Sequence, residues 1–172
     1  YMYVGSYLSL AALTFLPTIF FLFYKNTSNI EISVKYSGRS YLDLVSQPRF
    51  LQAVISSAFG YAIMTFLMTG TPLSMHVMDG ISLSKTSTVI QIHVACMFLP
   101  SLIAGNLVKK IGHTKMMYVG VGLYCITVII SLFDQSFLNY MLALIFLGFG
   151  WNFLFISGTS LLVLTYNEEE KY

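Results

Sequence analysis

Residues 137–165 read FLNYMLALIFLGFGWNFLFISGTSLLVLT, from Phe137 to Thr165, without one acidic or basic side chain. A helix of that length rises about 1.5 Å per residue and so exceeds the roughly 30 Å of a bilayer's hydrocarbon core. Helices buried inside soluble domains rarely stay apolar for so long. Four further runs share the property: Met2 to Tyr24, Phe50 to about Pro72, Thr88 to Val108, and Met116 to Phe133. The nine Lys and Arg and the seven Asp and Glu all lie outside the interiors of these runs. The expected fold class is therefore all-α: a polytopic transmembrane helical bundle with about five membrane-spanning helices.

Composition agrees. Hydrophobic residues make up 56% and charged residues 9% of the chain, against about 25% charged in an ordinary soluble domain. Eight of the nine basic residues fall in alternate connections: Lys25, Lys35, Arg39 and Arg49 after the first run, Lys109, Lys110 and Lys115 after the third, and Lys171 after the fifth. Only Lys85 lies on the other side. By the positive-inside bias, the first span starts outside and the tail ends in the cytoplasm of a cell (inner or plasma) membrane. Topology accounts for the basic residues, and no nucleic-acid partner is needed to explain them.

The first run has no basic leader or small-residue cleavage pattern and is too long for a signal-peptide core, so it reads as a true span. The chain opens on Tyr1 and yields an odd number of spans, which leads us to expect a piece of a larger protein. Segment 25–49 is the longest connection. It carries Tyr41, Leu42, Leu44 and Val45 close to Arg39 and Arg49, which suits a short stretch on the inner membrane surface. A linker between two bundles and an ordinary cytoplasmic loop both fit it. Pro48 suits a helix start.

Chemistry has few candidates. Phosphate loops, GxSxG elbows, HExxH pairs and clustered carboxylates are missing from the sequence, as is any metal-ligand spacing. Cys96 and Cys125 sit in separate spans and behave as small hydrophobes. We expect no enzyme activity, no metal and no cofactor. Polar groups inside spans are costly and tend to face a cavity or another helix. On the fifth span, Gly148, Asn152 and Thr159 fall within about 40° of one another around the axis. The second span offers Tyr61, Thr65, Met68 and Thr69, with Pro72 able to bend its end. Gln91 and His93 stand about 200° apart on the third, so one of them should bond a neighbouring helix. Small-residue pairs, Ser56 with Gly60 and Ser101 with Gly105, mark expected helix contacts, as does Gly148 four residues before Asn152.

The turn Gly105-Asn106-Leu107-Val108-Lys109-Lys110-Ile111-Gly112-His113-Thr114-Lys115 resembles the signature loop of the major facilitator superfamily: a glycine, any residue, leucine, then a basic residue, glycine and a further basic residue. The order around it strengthens the likeness. Gln47-Pro48-Arg49-Phe50 leads into Met64-Thr65 and Met68-Thr69-Gly70-Thr71-Pro72-Leu73. The basic turn follows, and then Leu147-Gly148-Phe149-Gly150-Trp151-Asn152-Phe153 and Tyr166-Asn167-Glu168-Glu169-Glu170-Lys171. The match resembles one stretch of a bacterial transporter of this superfamily over nearly the whole chain. Lys109 departs from the acidic residue of the fuller motif, and Lys110, His113 and Thr114 stand in place of its arginines.

The resemblance implies a partial major facilitator fold, helices six to ten of twelve. Residues 1–24 would be the last helix of the first bundle, 25–49 the cytoplasmic loop between bundles, and 50–172 four helices of the second bundle with a cytoplasmic tail. It also implies secondary transport of a small solute by alternating access. The partners would then be membrane lipid, the solute and the remaining helices of the same transporter. Tyr61, Thr65, Gln91, Trp151 and Asn152 are the expected cavity-lining residues. Gly105, Lys109, Lys110, Gly112 and Lys115 form the expected cytoplasmic turn, in which Gly105 admits close packing and Gly112 a sharp turn. The rival reading is a non-transporting helical scaffold, whose polar residues only join helices.

Overall fold

In lipid no water is at hand to satisfy backbone amides, so a spanning segment has to close its hydrogen bonds within itself, and a helix does so. The computed structural model describes residues 4–22 and 40–166, and among them it contains helices and no strand. The chain divides into two compact units, Tyr1–Lys35 and Tyr36–Tyr172. Among the described residues the first unit holds α1 (Val4–Leu22), mostly apolar and without a charged side chain. The second holds α2 (Tyr41–Val45), α3 (Pro48–Leu73), α4 (Leu83–Phe98), α5 (Ser101–Ile111), α6 (His113–Ser131) and α7 (Phe137–Val163). Most of the loop expected at 25–49, and the tail beyond Tyr166, lie outside the described residues.

Three stretches among the described residues are long and apolar enough to cross a membrane: Pro48–Met78, His113–Ser131 and Phe137–Val163. A fourth span results if α4 and α5 are counted as one. The sequence led us to expect a span over that third run, with no break noted at Pro100. The structure corrects this: Leu83–Phe98 and Ser101–Ile111 are bent by 43° at Leu99-Pro100. Pro100 has no N–H to give the Cys96 carbonyl and crowds the preceding turn, which is a sufficient cause for the bend.

The second span is modified at its far end. Pro72 leaves the helical ladder one donor short, and directly after Leu73 the chain widens into a five-residue π-helical segment, Ser74–Met78. The Asp79 N–H closes it by donating to the Ser74 carbonyl at 3.0 Å.

Helix α7 is the centre of the second unit, with α3, α4 and α6 packed around it. Lipid tails offer no hydrophobic drive between helices, so the contacts rely on close approach and on hydrogen bonds. Gly120 on α6 and Gly150 on α7 let the two backbones nearly touch. A Cβ on Gly120 would lie 3.0 Å from the Gly150 carbonyl oxygen and 2.8 Å from Leu154 Cγ. A Cβ on Gly158 would collide with Ser57 Oγ on α3. Tyr124 Oη donates to the Gly60 carbonyl at 2.6 Å, joining α6 to α3, and Thr127 Oγ1 donates to the Ala143 carbonyl of α7 at 3.2 Å.

These contacts also fix direction. Ser56 Oγ donates to the Leu154 carbonyl, while Ser74 meets Tyr140, so α3 runs antiparallel to α7. His93 bonds Leu144 and Met97 bonds Asn152, so α4 runs parallel to α7. One end of the bundle thus gathers Arg49, Lys109, Lys110 and Lys115, and Gln52 Nε2 donates to Thr114 Oγ1 there at 3.1 Å. The opposite end gathers Asp79, Lys85 and Asp134. An apolar groove of about 760 Å³ runs between α3 and α6 over α7, lined by Ile55, Phe59, Ile63, Val121, Val128 and Leu154 among others.

Candidate functional site

Tyr61 projects from the middle of α3, Phe98 ends α4, and Trp151 and Phe155 stand one turn apart on α7. Because α3 and α4 both pack on α7, the four rings meet. Trp151 and Phe155 are stacked with centroids 5.0 Å apart and planes at 15°. Phe98 meets Trp151 edge-on at 6.0 Å, and Tyr61 lies 6.5 Å from Trp151 and 6.3 Å from Phe155. These distances fall in the range where aromatic pairs attract beyond simple burial. Trp151 is 7% exposed, whereas Tyr61 is 52% and Phe98 58% exposed. The result is a wall of rings, anchored by a buried indole and presenting two open faces. Trp151 Nε1 has no hydrogen-bond partner in this arrangement.

Asn152 lies beside Trp151 but has a different task. It is 1% exposed, and its Nδ2 donates to the Met97 carbonyl at 2.7 Å and to Ser101 Oγ at 2.6 Å. Those acceptors flank the Leu99-Pro100 break, so the amide clamps both sides of it. Asn152 Oδ1 has no hydrogen-bond partner. His93 likewise joins helices: it is fully buried, with Nδ1 2.7 Å from the Leu144 carbonyl, and its Nε2 has no partner. The Nδ1 contact to a carbonyl implies that Nδ1 carries the proton. Of the pair Gln91 and His93, the histidine is the one that bonds the next helix, and Gln91 is exposed.

Of the five expected cavity residues, the structure brings Tyr61 and Trp151 into ring contact and sets Asn152 behind them. Thr65 and Gln91 are exposed, and none of the five lines either the apolar groove or a smaller cavity of about 250 Å³ near Ser74, Asp134 and Tyr140. Sequence reasoning missed Phe98, Phe155 and Ser101 as partners. Phe155 could have been found from its spacing of four after Trp151, and the broken span from Pro100.

At the basic end, Gly112 is the sole residue between α5 and α6 and has φ 84°, a left-handed conformation that favours glycine. The sharp turn expected there is present. Lys109 and Lys110 occupy the last turn of α5, where positive charge complements the helix dipole. Lys115 lies in the first turn of α6, and all three lysines are exposed. Gly105 differs from expectation, since a Cβ there would meet nothing within 4 Å among the described residues. At the other end, Tyr140 on α7 reaches the π-helical segment: its Oη is 2.7 Å from Ser74 Oγ and donates to Asp79 Oδ2 at 2.5 Å. Among the described residues there is no group of three or more His, Cys, Asp or Glu able to hold a metal.

Comparison with known proteins gives three relatives. The chain is 35% identical over 172 residues to a riboflavin transporter of Brucella anthropi, an overlap of 99% of this chain and 43% of that protein. It is 40% identical over 141 residues to the uncharacterized MFS-type transporter YddS of Bacillus subtilis, covering 80% of this chain and 32% of the relative. A second such transporter of that organism, YdeG, is 38% identical over 103 residues, 59% of this chain and 24% of the relative. The chain therefore spans less than half the length of each relative. No family model matches it, and no solved structure does.

Proposed function

Since the chain is a sequence relative of major facilitator superfamily transporters, we propose that the full-length protein moves a small solute across the cell membrane by alternating access, two bundles rocking about a site near mid-membrane. In this reading α1 closes the first bundle, the segment 25–49 joins the bundles, and α3 to α7 belong to the second. The start of α1 faces outside, and the end of α7 faces the cytoplasm.

The observation that carries the reading is the ring wall of Tyr61, Phe98, Trp151 and Phe155, contributed by three helices. Open aromatic faces carried on a helical bundle suit stacking of a flat solute. One relative bears the name riboflavin transporter, which agrees with a planar heteroaromatic substrate. Thr65 and Gln91 would supply polar contacts from the same bundle, and Asn152 would hold the wall's support in place. The basic turn from Gly105 to Lys115 would take part in the change of state.

The test is uptake of radiolabelled riboflavin and of an aliphatic sugar by proteoliposomes of the full-length protein. Tyr61→Ala, which removes one of the two open faces, should reduce uptake of the aromatic solute by about two- to twelvefold, from loss of about 0.5–1.5 kcal/mol of stacking at about 1.4 kcal/mol per decade. Unchanged uptake in that variant removes the wall from the pathway. The scaffold reading draws on Asn152 and His93, whose hydrogen bonds go to neighbouring helices; a full-length protein that transports no solute in a broad screen would favour it.

A further inference from the structure

We infer that α2 and the basic side chains at its end of the bundle form a docking surface for anionic phospholipid headgroups. The inference rests on α3 crossing a membrane and does not depend on what the protein transports. Stretch Pro48–Met78 has 31 residues and so rises about 46 Å, some 16 Å more than the hydrocarbon core needs. Charged and exposed Arg49 in its first turn puts that end in the headgroup layer, since an arginine is costly in the hydrocarbon core. Only Ser46 and Gln47 separate α2 from that turn, and the link is hydrogen-bonded: Ser46 N–H to the Leu42 carbonyl at 3.0 Å, and Leu51 N–H to the Gln47 carbonyl at 3.0 Å. Two residues reach at most about 7 Å, so α2 cannot leave the membrane surface.

Helix α2 is two-sided. Tyr41, Val45 and Leu42 fall within about 100° around its axis, with Asp43 on the other side. The apolar side is open: Tyr41 is 83% and Leu42 78% exposed. In water such a face is a liability, whereas at the edge of the acyl chains it is satisfied. Charge selects the lipid. Among the described residues, this end carries Arg49, Lys109, Lys110 and Lys115 against Asp43, four minus one, all exposed. The opposite end carries Lys85 against Asp79 and Asp134, one minus two. A basic rim beside an apolar helical face matches a negatively charged headgroup layer with acyl chains beneath it.

The test places a bimane label on Leu42→Cys in the full-length protein, with other cysteines replaced, in nanodiscs of phosphatidylcholine with or without phosphatidylglycerol. Lipids brominated near the headgroup should quench the label, and brominated phosphatidylglycerol should quench more strongly than brominated phosphatidylcholine at equal content. Arg49→Gln should reduce that preference by up to about fivefold at low salt. If the label is not quenched, α2 is covered by protein and the inference fails. Equal quenching by the two lipids removes the anionic selectivity. Resistance of the protein to alkaline carbonate extraction checks the membrane premise separately, and a stripped protein would overturn both.

Discussion

Replacing Asn152 by alanine in the full-length protein should loosen the break between α4 and α5. The substitution deletes the hydrogen bonds to the Met97 carbonyl, 2.7 Å, and to Ser101 Oγ, 2.6 Å. Hydrogen bonds between helices in lipid average about 0.6 kcal/mol and reach about 1.7 kcal/mol, so losing two should cost about 1–3 kcal/mol. The upper end applies because the site is fully buried and leaves the Met97 carbonyl without a donor. Ser101→Ala deletes only one of the bonds and should cost about 1 kcal/mol. In the double variant the shared bond can be lost only once, so the two costs should fall short of additivity by about 0.5–1.5 kcal/mol. Asn152→Asp keeps the shape but turns an acceptor toward the Met97 carbonyl, and should be worse than alanine. Unfolding of purified protein in mixed micelles, followed by circular dichroism, measures all four variants. Strict additivity of Asn152→Ala and Ser101→Ala, or an aspartate variant as stable as the parent, would refute the clamp.

The α6–α7 contact gives a paired test. Gly120→Ala should destabilise by about 1–3 kcal/mol in the same unfolding assay, because its Cβ meets the Gly150 carbonyl and backbone cannot step aside. Gly122→Ala, whose Cβ meets nothing within 4 Å, should be neutral or stabilising by up to about 1 kcal/mol through helix propensity. Tyr140→Phe removes both hydroxyl contacts to Ser74 and Asp79. It should speed amide hydrogen exchange in residues 74–79 while leaving exchange along the middle of α7 unchanged, as read by mass spectrometry.

Most of the architecture was legible because lipid imposes a simple rule, and the runs beginning at Phe50, Met116 and Phe137 each became one helix close to the expected bounds. Small residues read well at Gly60 and Gly148, which lie where helices approach closely, but not at Gly105. The broken third run was less legible. A hydropathy pattern integrates over a whole turn and is blind to one missing N–H at Pro100. The candidate site was legible in part. Tyr61 and Trp151 entered as cavity residues through the family resemblance, and their meeting depends on the register of α3 against α7, which no single helix encodes. Asn152 was conspicuous as an amide in an apolar run, yet only the bent neighbour reveals why its two N–H groups point toward α4 and α5.

The central place of α7 bears on how the protein is made. Helices α3, α4 and α6 touch α7 far more than they touch one another, and α7 is the last of the four to leave the ribosome. Until Phe137–Val163 is synthesised, Gly120 of α6, His93 of α4 and Ser56 and Ser57 of α3 have no surface to close against. Packing of α3, α4 and α6 should therefore wait on α7. A chain truncated before Phe137 would leave the α7-facing sides of α3, α4 and α6 uncovered.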